Sequence, residues 1–133
     1  MSDTDDEREA IRERKRQELL EEAEGPAVPT EPIHVEGPEH LEDLTADHDV
    51  VLVDFHADWC GPCQMLEPTV ESIATDSPAA VAKVDIDANE ALARRENVQG
   101  VPTLQLYAGG KRRETLVGVK DESTLRSLID QYA

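Results

Sequence analysis

The sequence predicts an α/β domain: a central mixed β-sheet with helices on both faces, preceded by a charged N-terminal extension. Three observations carry this. Short apolar runs alternate with stretches of helical period, the pattern of strands joined by crossover helices in a mostly parallel sheet. Late in the chain, Gly109 and Gly110 divide two strand-like runs, which adds an antiparallel hairpin. The composition also shifts near residue 32, where a polar segment gives way to alternating elements.

Residues 1–32 hold 11 acids and 5 basic residues, a net of −6. "EREAIRERKRQELLEEAE" has helical pairs of mixed benefit: Glu13 with Arg16 and Lys15 with Glu18 attract, whereas Arg8, Arg12 and Arg16 repel in turn. Ile11, Leu19, Leu20 and Ala23 are too few for a core-facing stripe, so a solvated, fraying helix is expected, with a partner-docking arm as the alternative. Gly25–Pro26, Pro29 and Pro32 read as a linker. The domain spans 33–133. It opens with "IHV" (Ile33–Val35), a short strand, and "PEHLEDLTA", a short helix with Leu41 and Leu44 on one face. "VVLVDF" (Val50–Phe55) is continuously apolar but for its acid, as suits a strand covered on both sides. Residues 60–75 place Leu66, Val70 and Ile73 on one helical face, with Pro68 expected to kink the helix. "AVAKVDI" (Ala80–Ile86) is a second central strand. Asp87 and Glu90 have the spacing of a capping box before "NEALARREN". "TLQLYA" and "RRETLVG" flank the glycine pair. Asp121 is expected to cap a last helix, with Leu125, Leu128, Ile129 and Tyr132 on one face.

The chain has 133 residues, with about 100 in the domain, enough for one modest core. Its formal net charge is −17, from 30 acids against 13 basic residues. That surplus repels phosphate and anionic headgroups, which argues against nucleic-acid and membrane partners. Spread along the whole sequence, it suggests a salt-adapted cytoplasm, because self-repulsion keeps halophilic proteins soluble; an acidic protein of any other source is the alternative. "MSDTDDEREA" lacks the basic start and apolar core of a signal peptide, and no run of the order of eighteen apolar residues occurs. A cytoplasmic location is therefore expected. Two cysteines in such a chain point to redox chemistry or metal rather than a disulfide scaffold.

Both cysteines, the single Trp and the single Phe lie in "DFHADWCGPC", Asp54–Cys63. The segment leaves a buried strand and opens a helix. Cys60 and Cys63, three apart on a helical turn, share a face, so their sulfurs can approach bonding distance. Pro62 suits the first turn, and Gly61 leaves room beside Cys60 for another chain. The helix start offers unpaired N–H groups and partial positive charge, which favour a thiolate. Cys60, nearest that end, is expected to be the exposed nucleophile; Cys63, one turn deeper, the shielded resolving thiol. Asp54 interrupts an apolar strand, so burial should raise its pKa and let it exchange a proton with Cys63. The alternative places it at the strand end, solvated or capping the helix. Lys83, on the neighbouring strand, is expected to modulate it.

At these residues the chain resembles thioredoxins. "VDF-x-A-x-WCGPC" runs from Val53, "M-x-x-P" follows at Met65–Pro68, "VAKVDID" stands at Val81–Asp87 and "GVPTL" at Gly100–Leu104. The likeness covers about residues 33–133 and implies the thioredoxin fold. It also implies a protein-disulfide reductase cycling between a Cys60–Cys63 dithiol and disulfide, with Asp54 as the family's buried acid and Pro102 as its cis-proline. Cis geometry there would leave the Val101 backbone free to pair with a substrate strand. Trp59, Gly61, Pro62, Gly100, Val101 and Gly118 would form the apolar collar where clients dock, although packing alone also accounts for Trp59 and Val101. No bound cofactor is implied; a thioredoxin reductase-like electron donor and disulfide-containing client proteins are. A monomer is expected.

His56 stands where the family often has a second Trp. Charged, it would lower the thiolate pKa; a packed neutral imidazole is the other reading. Gln64 replaces a frequent Lys or Arg, removing a nearby positive charge. Three rival functions compete with this reading. A zinc module needs more ligands than two cysteines supply, and His34, His40, His48 and His56 lack metal-ligand spacing, so no metal is expected. An oxidant or isomerase fits less well, because Gly-Pro between the cysteines resembles reducing members of the family. A non-enzymatic adaptor would keep its function without either cysteine.

Overall fold

The computed structural model describes residues 8–14, 16 and 27–133. Residues 8–14 and 16 are helical and exposed; the rest of the predicted charged helix lies outside the described residues, as do Gly25 and Pro26. Residues 27–32 form neither helix nor strand.

The domain elements follow the predicted order: β1 (Ile33–His34), α1 (Pro38–Asp47), β2 (Val50–His56), α2 (Gly61–Asp76), β3 (Ala80–Asp85), α3 (Glu90–Arg95), β4 (Thr103–Ala108), β5 (Lys111–Val117) and α4 (Glu122–Tyr132). The strands lie in the order β1-β3-β2-β4-β5. β3 runs parallel to both β1 and β2, whereas β4 is antiparallel to β2 and to β5. The sheet is thus evenly mixed rather than mostly parallel. The local pattern announces the hairpin but not the direction in which its first strand enters.

Period-two alternation in β2 supplies both faces of the core. Val50 and Leu52 pack with Leu66, Val70 and Ile73 of α2 and with Leu125 and Ile129 of α4. Val51, Val53 and Phe55 pack on the other side with Leu41 and Leu44 of α1 and Leu92 of α3. Helices therefore cover both faces. Gly109 and Gly110 have φ of 61° and 78°, the doubly left-handed turn that a two-residue hairpin needs. Ala108 pairs with Lys111 across it. The register then slips near Leu106 and Tyr107, which pair with Glu114 and Arg112 and leave Arg113 as a bulge.

One expected cap is displaced and the other makes no side-chain bond. α3 begins after Asn89, so Asp87 is not its cap, and no side-chain cap bond forms there. Asp121 does precede α4, yet its side chain makes no cap bond either. α3 stops at Arg95, short of its predicted end, because Asn97 turns left-handed at φ 56° and Val98 N–H bonds back to the Ala93 carbonyl. α2 runs on through Pro68.

Candidate functional site

The turn between β2 and α2 carries the chemistry. Cys60 N–H donates to the Ala57 carbonyl at 3.1 Å, and the Gln64 amide donates to the Asp58 carbonyl at 3.2 Å, which closes the turn. Cys60 thereby becomes the N-cap of α2 with extended backbone, and Pro62 falls in the first turn. Its Sγ accepts the Cys63 N–H at 3.2 Å, so an otherwise unpaired helix-terminal donor is aimed at the sulfur. The two cysteines are joined as a disulfide, their Cα atoms 5.3 Å apart.

Exposure does not separate them as expected: in this disulfide state Cys60 is 4% exposed and Cys63 6%. The reason lies in a distant loop. Val101–Pro102 is a cis peptide, and the Val101 carbonyl oxygen stands 3.6 Å from Cys60 Sγ. Val101 itself is half-buried and makes no backbone hydrogen bond among the described residues. The Pro102 carbonyl accepts the Gly118 N–H at 2.8 Å, which ties the turn at Gly118 (φ 91°) to this loop. The Thr103 hydroxyl donates to the Gly100 carbonyl and steadies its near side.

The asymmetry between the sulfurs lies in what each faces. Cys60 faces the Val101 loop. Cys63 lines a cleft of about 420 Å³ shared with His34, Asp54, His56, Glu67 and Lys83. Asp54 is 1% exposed, and its Oδ1 has no hydrogen-bond partner. Burial pushes its pKa up to about 6; the Lys83 charge opposes this and Glu67 assists it. Asp54 is thus neither solvated nor a helix cap. Lys83 is its register neighbour on β3, yet the Lys83 Nζ is bonded at 2.9 Å to Glu67 Oε1. His56 Nε2 is buried without a partner, and burial, followed by Lys83, lowers its pKa. The neutral imidazole is therefore the form this pocket holds, and it supplies no positive charge to the sulfurs.

Trp59 is 69% exposed beside Cys60, and its Nε1 donates to Asp87 Oδ2 at 3.0 Å. The residue expected to cap α3 instead pins the indole. Gly61, Pro62 and Gly100 are exposed, and a Cβ built on either glycine would meet nothing within 4 Å. Sequence reasoning missed Val117 and Val119, which flank Gly118 and are exposed, because the end of an ordinary edge strand has the same pattern. It also missed Glu67, whose spacing from Cys63 carries no signal of its pairing with Lys83.

A paired cysteine dyad at a helix start, against a cis-proline loop on a mixed five-stranded sheet, defines a thiol–disulfide oxidoreductase whose redox group is the disulfide itself. The thioredoxin family model matches residues 31–131. Thioredoxin of Chlamydia trachomatis is 44% identical over 84 residues, 62% of this chain and 82% of that one. A bifunctional thioredoxin reductase/thioredoxin of Mycobacterium leprae is 40% identical over 101 residues, 74% of this chain and 22% of that one. Among solved structures, a mutant thioredoxin from Halobacterium salinarum superposes with a TM-score of 0.77 at 56% identity, over 81% of this chain and 96% of that one. This chain belongs to the thioredoxin family.

Proposed function

We propose that the protein is a monomeric protein-disulfide reductase of a salt-adapted cytoplasm. The observation that carries the chemistry is the Cys63 N–H held on Cys60 Sγ at the start of α2, with Asp54 in the cleft beside Cys63. A helix start stabilises a thiolate, and thioredoxins are themselves a known case of thiol acidity raised in a Cys-X-X-Cys motif. In the dithiol form, the Cys60 thiolate attacks one sulfur of a client disulfide. That bond breaks, the other client sulfur leaves as a thiolate, and a mixed disulfide joins Cys60 to the client. Cys63 then gives its proton to the Asp54 carboxylate and attacks Cys60 Sγ. The Cys60–client bond breaks, the client leaves with two reduced sulfurs, and Cys60–Cys63 is oxidised by two electrons.

Gly61-Pro62 between the cysteines supports the reducing direction. The unpaired Val101 backbone, with Trp59, Gly61, Pro62, Gly100, Pro102 and Gly118 around it, serves as the client platform. The Mycobacterium leprae relative, named for both reductase and thioredoxin, supports a thioredoxin reductase-like donor that returns the dithiol state. The net charge of −17 and the likeness to the Halobacterium salinarum protein support salt adaptation. Among the described residues no helix is long and apolar enough to cross a membrane.

The test is insulin-disulfide reduction at high and low salt, with a redox titration against glutathione. Turnover lost in Cys60→Ser, and a stable mixed disulfide trapped by Cys63→Ser, are expected. A potential well above the glutathione poise would overturn the reducing role.

A further inference from the structure

Asp54 and Lys83 are adjacent in register on parallel strands and line one cleft, but they are not hydrogen-bonded to each other. The only hydrogen bond recorded for the Lys83 ammonium, among the described residues, goes to Glu67 one turn beyond Cys63 on α2. The Lys83 side chain is 9% exposed, whereas Glu67 is 49% exposed, so the pair forms the outer wall of the cleft. Behind it Asp54 keeps one oxygen with no partner. A buried carboxyl left unpaired beside a buried ammonium is an unusual arrangement, because a buried polar atom without a partner is costly. The Lys83 ammonium is instead bonded to Glu67.

We propose that Glu67 is a positioning residue of the redox site: by binding Lys83 Nζ it keeps that cation off Asp54, so that the buried carboxyl is free to hold the proton of Cys63. The inference rests on the proton role given to Asp54 above. The other groups lining the cleft around Asp54 are His34 of β1, His56 of β2, Asp58 of the turn, and Cys63 and Gln64 of α2. None of them is hydrogen-bonded to Lys83 Nζ. Across β4 the register partner of Asp54 is the apolar Leu104, so no charge approaches from that side. With Glu67 gone, Asp54 and Asp58 are the carboxyls left lining the cleft, and Asp54 is the one paired in register with Lys83.

The experiment follows the Asp54 carboxyl by ¹³C NMR through a pH titration of the full-length oxidised protein. The set comprises wild type, Glu67→Gln, Glu67→Asp and the same Glu67→Gln change in a Lys83→Met background. Glu67→Gln should lower the Asp54 midpoint by about one pH unit or more, the usual effect of a newly adjacent cation. Glu67→Asp should restore most of the wild-type midpoint. In the Lys83→Met background the Glu67→Gln effect should shrink to a minor part of that shift, because the cation it released is gone. The pH profile for release of the mixed disulfide, read on reduced protein, should move with the midpoint. An unchanged Asp54 midpoint in Glu67→Gln, or an equal shift with and without Lys83, overturns the positioning role while leaving the Asp54 mechanism standing. A midpoint that moves while the release profile stays fixed overturns the Asp54 mechanism, and with it any part for Glu67 in the reaction.

Discussion

Phe55 and Asp54 are neighbours on β2, 0% and 1% exposed, and they point to opposite faces of the sheet. On the Phe55 side the strand is apolar throughout, and burial against α1 and α3 favours the fold. On the Asp54 side Val50 and Leu52 do the same work against α2 and α4, but the last two residues before the active turn are Asp54 and His56. Equal burial therefore has opposite energetic sign within one dipeptide. The comparison teaches how a small domain sustains a costly site: the apolar face of the same strand holds rigid what the polar face would otherwise loosen.

The contrast can be broken hardest from the apolar face. Phe55→Ala should destabilise the protein by about 3–5 kcal/mol through lost contacts and a cavity. Urea unfolding at fixed salt measures this, and insulin reduction per folded molecule should change little.

On the other face the sign reverses. The Asp54 pKa rises from 3.8 unfolded to about 6 folded. Between those values the native state binds the extra proton, so stability falls as pH rises through that window and the penalty persists above it. Asp54→Asn should thus be more stable than wild type by up to about 3 kcal/mol at pH 8 and no more stable near pH 4. The check is unfolding at both pH values. Its mixed disulfide should resolve more slowly at neutral pH.

His56 sharpens the contrast with the opposite pH trend. Its folded pKa lies below 6.5, so wild type loses stability as acid charges the unfolded chain first. His56→Phe, which removes an unpartnered buried nitrogen, should be neutral to about 1 kcal/mol stabilising at pH 8. That advantage should grow below pH 6.5, while the advantage of Asp54→Asn fades from about pH 6 toward pH 4. Melting temperatures over a pH series decide it.

The smallest stability change belongs to the exposed rim. Trp59→Ala should alter unfolding free energy by about 0.5 kcal/mol or less, yet raise KM for protein clients several-fold with kcat less affected. An unchanged KM would remove Trp59 from the client platform.

Much of this layout was legible in the residues. Val50–Phe55, Ala80–Ile86 and Thr103–Ala108 were recognisable because strand runs are local, and the turn at Gly109–Gly110 because left-handed backbone selects glycine. The burial of Asp54 followed from an acid in an apolar run. Other features were not legible. Asp87 had the spacing of a cap but holds Trp59, 28 residues away in sequence. Cys60 was expected at the surface but is covered by Val101, 41 residues away. Glu67 meets Lys83 only because α2 lies over β3.

By itself the sequence determined the order of elements, the cysteine pair at a helix start and the acid behind it, since each depends on spacing within a few residues. Tertiary structure alone decided that β4 enters antiparallel beside β2, that the Val101 loop closes over Cys60, and that Lys83 faces Glu67 instead of Asp54. Those outcomes depend on contacts between segments far apart along the chain, where no local period or cap chemistry selects one partner over another.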